Sequence, residues 1–88
     1  MKEVYDDRIE WRNERGELHR LDGPARIYID GTKHWIIDGQ YHRVDGPAVE
    51  HASGVKTWFF KGKWLSEQEW FEALNSEDQI AYLFKINF

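Results

Sequence analysis

The sequence predicts an α+β protein in which an antiparallel sheet of repeated β-hairpins is closed by two short C-terminal helices. The seven glycines recur at intervals of seven or eight residues, and residues 16–25 return at 39–48 with seven of ten positions identical. This sets a repeat of 23 residues, and repeat units bury their apolar sides only against one another. After Gly62 the pattern ends and helix-start signals follow. We therefore expect one domain over residues 1–88, with β repeats in 10–65 and a helical cap in 66–88.

Short segments rich in β-branched and aromatic residues predict the strands, which we place at residues 26–30, 33–37, 49–53 and 56–60. Gly31 and Gly54 stand between successive strands. They predict hairpin turns, because glycine readily adopts the positive φ that such turns need. The first unit carries one extra residue, which we place in the turn at residues 13–16.

Trp35 and Trp58 lie one period apart in the chain. Which face they take depends on the hairpin register, since a slip of one residue reverses it. We expect them to form a buried row beneath the helices. The alternative is an exposed aromatic platform for a ligand.

A corner with the sequence Asp-Gly-Pro occurs twice, and we call these two segments the corners. Aspartate accepts a local hydrogen bond, glycine turns the chain and proline lacks a donor, so a regular strand ladder cannot continue there. The predicted turn residues of the chain are Asp22, Gly23, Pro24, Gly31, Asp45, Gly46, Pro47 and Gly54.

A His-Arg pair precedes each corner and is the part of the chain that most resembles a chemical site. Together with the aspartate it could hold an anion or act in acid–base chemistry. An active site is a single constellation, whereas this group recurs with its turn, so we favour a structural role, with phosphate or carboxylate recognition as the alternative. The candidate binding residues are His19, Arg20, Tyr28, Tyr41, His42 and Arg43.

Two capping boxes mark the predicted helices. Ser66 and Glu69 begin the first, and Ser76 and Gln79 begin the second. An antiparallel sheet needs cover on its apolar face. The side chains that we expect to provide this cover are Trp70, Phe71, Leu74, Ile80, Leu83 and Phe84.

The composition of the chain limits the kinds of partner and the kinds of site that we expect. The net charge is −4, with the signs interspersed, and nucleic-acid binders usually carry a basic surplus. Mimicry of a nucleic acid by the acidic residues at 3–7 and 67–78 is a weaker alternative. The chain has no cysteine and its four histidines lack zinc-site spacing, so we expect no metal or cofactor. No apolar run reaches signal-peptide or membrane-spanning length, which favours a cytoplasmic location without membrane insertion.

The 23-residue period, the turn at Gly31 and the Gly-x-x-His segments at residues 16–19 and 39–42 resemble MORN repeats. In that family each unit is a β-hairpin and units add edge to edge. Here His-Arg-x-Asp-Gly-Pro-Ala replaces the usual His-Gly-x-Gly stretch, a variant similar to short repeat proteins of bacteriophage and bacterial genomes. The resemblance covers about residues 10–65. It implies an interaction scaffold, with membrane-lipid association in some members, and it does not imply an activity.

The leading hypothesis is a small non-enzymatic module that binds another protein. If the chain is phage-encoded, the partner belongs to the host cytoplasm, and the module inhibits or modulates a host factor or a defence system. The alternative is a sponge for a small ligand or nucleotide, in which the His-Arg loops hold phosphate. Association of copies through sheet edges is a further expectation. We expect no enzyme, because no nucleophile elbow and no Gly-rich phosphate loop occurs.

Overall fold

The computed structural model describes residues 1–87 and shows a seven-stranded antiparallel sheet followed by two helices. The strands are β1 (Lys2–Val4), β2 (Arg8–Trp11), β3 (Arg26–Tyr28), β4 (Lys33–His34), β5 (Ile36–Ile37), β6 (Gln40–Tyr41), β7 (Val49–Glu50), β8 (Lys56–Phe60) and β9 (Lys63–Leu65). The helices are α1 (Glu67–Ala73) and α2 (Ser76–Asn87). The α+β class and the antiparallel sheet are confirmed. Phe88, the last residue of the predicted cap, lies outside the described residues.

The main sheet has the order β1-β2-β3-β4-β7-β8-β9, and β5 and β6 form a separate hairpin. The main sheet extends to Lys2, beyond the expected repeat region of residues 10–65. The prediction of one strand over residues 33–37 is wrong, because the chain leaves the sheet at Trp35. The Trp35 amide donates to the Ala48 carbonyl at 2.7 Å, and its carbonyl accepts from the His42 amide at 3.1 Å. Trp35 therefore joins β4, in the main sheet, to the small hairpin.

Two tight turns occupy equivalent places one period apart. Asp38 and Gly39 connect β5 to β6 with φ of 47° and 79°, and Lys61 and Gly62 connect β8 to β9 with φ of 50° and 84°. Two central residues at positive φ make a type I′ turn, whose twist matches that of the flanking strands. Gly31, one of the two predicted hairpin glycines, has φ of 95° in the turn after β3.

The helix α1 begins as its sequence predicts. Ser66 accepts a hydrogen bond from the Glu69 amide, and the Glu69 side chain accepts one from the Ser66 amide. The second capping box is wrong, because Asn75 is the residue that caps α2. Its Oδ1 accepts from the Asp78 amide at 2.8 Å, and its carbonyl accepts from the Gln79 amide at 3.0 Å.

The helices bury a different set of side chains from the one expected on α2. Trp70, Leu74 and Tyr82 form the core cluster with partly buried Trp58 beneath them. The predicted cover from Ile80, Leu83 and Phe84 is wrong, because these side chains are 67%, 45% and 66% exposed.

Tyr82 takes the inward position because its ring and its hydroxyl both find partners there. The ring lies 5.0 Å from that of Trp70, and the hydroxyl donates to Glu67 at 2.8 Å. Burial, together with this hydrogen bond, raises the pKa of Tyr82 to about 12. An aliphatic side chain at the same place would leave the Glu67 carboxylate without this donor.

The helices do not close the sheet. Helix α1 contacts β8 and β9, so the cover lies at one end, and the sheet stays open at β1. Within residues 1–87, no helix combines the length and apolar character that a membrane span requires.

Candidate functional site

Arg43 is the centre of the second corner. Its Nε donates to Asp45 Oδ1 at 2.8 Å, and its Nη1 donates to the Pro47 carbonyl at 2.9 Å and to Glu50 Oε2 at 2.8 Å. Only 10% of the side chain is exposed. The guanidinium therefore binds the backbone of the turn, while the aspartate orients the guanidinium.

The flat faces of the same guanidinium are also covered. Its Cζ lies 3.6 Å from the centroid of the Trp35 ring. On the corner itself, a Cβ added at Gly46 would lie 2.8 Å from that Cζ. Gly46 has no positive φ, so the corner uses glycine because the arginine leaves no room for a side chain.

The first corner repeats this arrangement 23 residues earlier with longer contacts. Arg20 Nε donates to Asp22 Oδ1 at 3.1 Å and its Nη1 to the Pro24 carbonyl at 3.2 Å. Its Cζ lies 3.8 Å from the centroid of the Trp11 ring, and a Cβ at Gly23 would meet that Cζ at 3.1 Å. The same side chains thus perform the same packing in both corners, more tightly in the second.

The repeated histidines each hold the tight turn of the following hairpin. The Asp38 amide donates to His19 Nδ1 and the Lys61 amide to His42 Nδ1, both at 2.9 Å. An imidazole that accepts at Nδ1 is neutral and carries its proton on Nε2. Burial, with the charge of Lys61, lowers the pKa of His42 against an opposing effect of Asp78.

A cleft of about 270 Å³ lies between the two corners and brings three candidate residues near one another. Arg20, His42 and Arg43 line it, with Trp35 as an aromatic wall, and His19 holds the neighbouring turn. Each arginine is already paired with the aspartate of its own corner. The cleft therefore combines cationic groups with internal counter-charges, which weakens its attraction for an anion.

Tyr28 and Tyr41 lie away from that cleft, in a row of rings. His34 stands between them, with centroids 5.4 Å from Tyr28 and 5.5 Å from Tyr41, and Tyr41 stacks on Phe59 at 4.9 Å. Phe59 follows Trp58 in β8, so it points to the face opposite the helices. Tyr28 and Tyr41 are thus separate from the cleft that Arg20, His42 and Arg43 line.

A buried carboxylate that sequence reasoning missed lies in the N-terminal strands. Glu10 is 1% exposed and accepts hydrogen bonds from Arg8 at 3.0 Å, Arg12 at 2.8 Å and Arg26 at 2.8 Å. Burial alone would raise the pKa of Glu10, but the three guanidinium groups outweigh it and hold the pKa below its usual value. The alternation Arg8-x-Glu10-x-Arg12, which runs from β2 into the residue after it, is the signal that could have revealed part of this cluster.

The helical cap, residues 66–87, carries several exposed apolar side chains close together on one helix. Ile80, Leu83, Phe84 and Ile86 leave large apolar areas exposed on α2. Between the helices runs a groove of about 280 Å³, lined by Glu67, Gln68, Phe71, Tyr82 and Leu83. We call the outward side of α2 together with this groove the cap surface.

The cap also differs from the sheet part, residues 1–65, in its net charge. Residues 1–65 carry eleven acidic and eleven basic side chains, so the whole net charge of −4 belongs to the cap. Eight acidic residues of the sheet part form ion pairs, namely Glu3, Asp7, Glu10, Glu17, Asp22, Asp38, Asp45 and Glu50. The cap acids form none with any described residue; they are Glu67, Glu69, Glu72, Glu77 and Asp78.

Across residues 1–87, no group of three or more His, Cys, Asp or Glu side chains is placed to hold a metal ion. Comparison with protein-family models, with curated proteins and with solved structures finds no match to this chain. The chemistry of the described side chains is therefore the basis for any assignment of function.

Proposed function

We propose that this protein is a small non-enzymatic module that binds another protein. The observation that carries the proposal is the concentration of large exposed apolar side chains on the cap. Scattered exposed hydrophobic residues are ordinary, but contiguous ones mark interaction surfaces. Four of them fall within the seven residues 80–86 of one helix.

The proposal includes the repeat architecture. The same hydrogen bonds recur after 23 residues at the two corners and the two tight turns, which is the behaviour expected of MORN-like hairpin units. In such proteins the repeats form a scaffold. If the chain is phage-encoded, the partner is a host protein in the host cytoplasm, such as a factor of a defence system that the module inhibits or modulates.

The internal contacts of the corners also favour a scaffold role for the repeats. A guanidinium that recognises a ligand needs N–H donors that are free to bind it. Arg43 instead donates from its Nε and Nη1 to groups of its own chain. The corner His-Arg pairs therefore serve the fold in this proposal, and the cap serves the partner.

Affinity capture tests the proposal. Tagged, folded protein is used as bait in a bacterial lysate, with a tagged unrelated domain of similar charge as control, and bound proteins are identified by mass spectrometry. We expect a partner that is enriched reproducibly and binds again after both proteins are purified. A folded bait that enriches no protein over the control would contradict the proposal.

A second candidate, a sponge for phosphate-bearing ligands, is supported by the cleft that Arg20, His42 and Arg43 share. A ligand at a hundredfold excess over its Kd stabilises the folded state by about 2.7 kcal/mol. Thermal denaturation with inorganic phosphate, a nucleoside monophosphate or a nucleoside triphosphate would reveal this. If no melting shift accompanies any of the three, the sponge is excluded for these ligands.

A further inference from the structure

We infer that the cap surface is the docking site for the partner and that it fits an apolar groove rimmed by lysine and arginine side chains. This inference rests on the proposed function and names the partner's chemistry. An amphipathic helix that places apolar residues three and four positions apart on one side is a recurrent peptide-like recognition element. Ile80 and Leu83 have this spacing on the outward side of α2.

The apolar part of the surface includes a recess as well as a ridge. Leu83 lines the groove between the helices, and Phe71 forms its opposite side. A volume of about 280 Å³ accepts one large side chain of a partner. A ridge beside a pocket gives the complementary shape from which the buried centre of an interface is built.

The rim of the surface specifies the charge of the partner. Glu77 lies one helical turn before Ile80 on α2, and Glu72 lies one turn after the groove residue Gln68 on α1. Both are exposed and, among the described residues, form no ion pair. The single basic residue of the cap, Lys85, points to the sheet, where its Nζ donates to the Asp45 carbonyl at 2.8 Å. The cap surface is therefore apolar with an acidic rim, and complementary potential requires a basic rim on the partner.

The helix is held in place before any partner arrives. Tyr82 fixes its inner side through Glu67, and the Gln79 side chain donates to the Phe71 carbonyl at 2.9 Å. Lys85 adds a contact to the second corner. A surface ordered in advance loses less conformational entropy on binding than one that folds at the moment of contact.

The acidic rim also distinguishes a partner protein with a basic rim from other molecules that could occupy the cap surface. A second copy would bring two sets of unpaired carboxylates together, and a nucleic acid or an anionic bilayer would be repelled in the same way. If the wild type self-associates and the cap variants described below do not, the surface binds a copy of the chain. That result would overturn the inference.

The test compares variants of the full chain against the captured partner in purified form. Ile80→Ser alone and combined with Leu83→Ser should raise the Kd, the double variant by about tenfold or more. Ile29→Ser is the matched control, because Ile29 is 84% exposed but lies in the sheet part. It should bind as the wild type does. Circular dichroism and the melting temperature confirm that each variant is folded.

The charge part is tested with Glu72→Gln/Glu77→Gln. Exposed rim charges act mainly on the association rate, so this variant should bind more slowly and lose most of the salt dependence of wild-type binding. Equal affinity of all cap variants, with a partner still bound, would overturn the inference and leave the proposed function intact. A wild-type bait that binds no protein would overturn both.

Discussion

Trp35 and Trp58 stand at the same position of the 23-residue period, but different groups cover them. The Arg43 guanidinium lies 3.6 Å from the Trp35 ring centroid, whereas the Trp58 ring meets Trp70 of α1 at 4.6 Å. Ser66 occupies the position at which a third corner arginine would fall. It begins a helix there, and that helix supplies an indole in place of the guanidinium.

The difference follows from what comes after each tryptophan in the chain. An Asp-Gly-Pro corner with its arginine follows Trp11 and Trp35, and each arginine lies on the ring before it. No such corner follows Trp58, and α1 covers that ring instead. Leu65 likewise replaces the repeated histidine, since no further tight turn follows for an imidazole to hold. The expected row of Trp35 and Trp58 beneath the helices is therefore correct only for Trp58.

The largest effect should come from removing the indole that replaces the arginine. Trp70→Ala removes a fully buried side chain, its contact with Trp58 and its hydrogen bond to the Arg43 carbonyl at 2.7 Å. We expect it to reduce the free energy of unfolding by about 3–5 kcal/mol, measured by urea denaturation. Trp64→Ala is the control, since Trp64 is 74% exposed and its loss should change stability by less than about 0.5 kcal/mol. Similar losses for the two variants would show that Trp70 does not anchor the cap.

The second-largest effect should come from Glu10, whose buried charge lies in the sheet part; the described residues of the cap include no buried charged side chain. Glu10→Gln leaves three guanidinium groups without their shared carboxylate, and we expect a loss of about 2–4 kcal/mol at pH 7. The pKa of Glu10 is lowered in the folded state, so its contribution is present above the unfolded value of about 4.3 and is lost as the pH falls through the folded pKa. Urea denaturation at several pH values should show the two proteins converging in acid. A constant difference at all pH values would contradict this account.

A smaller effect should distinguish the two corners. Gly46→Ala places a Cβ 2.8 Å from the Arg43 Cζ, and Gly23→Ala places one 3.1 Å from the Arg20 Cζ. We expect Gly46→Ala to cost about 1–3 kcal/mol, because the guanidinium must move off Trp35. Gly23→Ala should cost less, since Arg20 is packed less tightly and can shift. Thermal and urea denaturation of both variants measure the order, and the reverse order would show that guanidinium packing does not select glycine.

The smallest effect is a pH dependence at the second tight turn. The pKa of His42 is lowered in the folded state, so its contribution is present above the unfolded value of about 6.5 and is lost as the pH falls below it. His42→Asn keeps an acceptor for the Lys61 amide without a titrating ring. Between pH 7.5 and 5.5 this variant should lose less stability than the wild type. His34, whose pKa is also lowered, remains in both proteins. An equal loss in the two proteins would exclude His42 as a source of the dependence.

Sequence reasoning succeeded where the determining chemistry is local. The capping box at Ser66 and the glycine of the Gly31 turn depend on neighbours within four residues, so the start of α1 and the hairpin could be predicted. The Asp38-Gly39 turn is also local and pairs β5 with β6, but the break at Trp35 depends on its backbone hydrogen bonds to Ala48 and His42. These local signals predict individual helices, strands and turns. They do not predict which side chains of different helices and strands contact each other.

The rest depends on contacts between residues far apart in the chain. Arg26 reaches Glu10 only because β2 pairs with β3, across sixteen residues. The rotation of α2 about its axis also depends on distant contacts, because its inward side chain, Tyr82, is the one that meets Trp70 and Glu67 of α1. That rotation decides that Tyr82 is buried and that the apolar residues of the cap surface point outward.

The Arg43 guanidinium and the Trp70 indole stabilise the fold in the same way, by covering tryptophans at equivalent positions of the sequence period. The free energy of unfolding of Arg43→Lys, measured by urea denaturation at pH 7, tests this claim most directly. Lysine keeps the charge but cannot stack flat on Trp35 while donating to both Asp45 and Pro47. We expect a loss of about 2–4 kcal/mol. A variant within about 0.5 kcal/mol of the wild type would contradict the claim and would favour the alternative, in which the corner arginines recognise an anion.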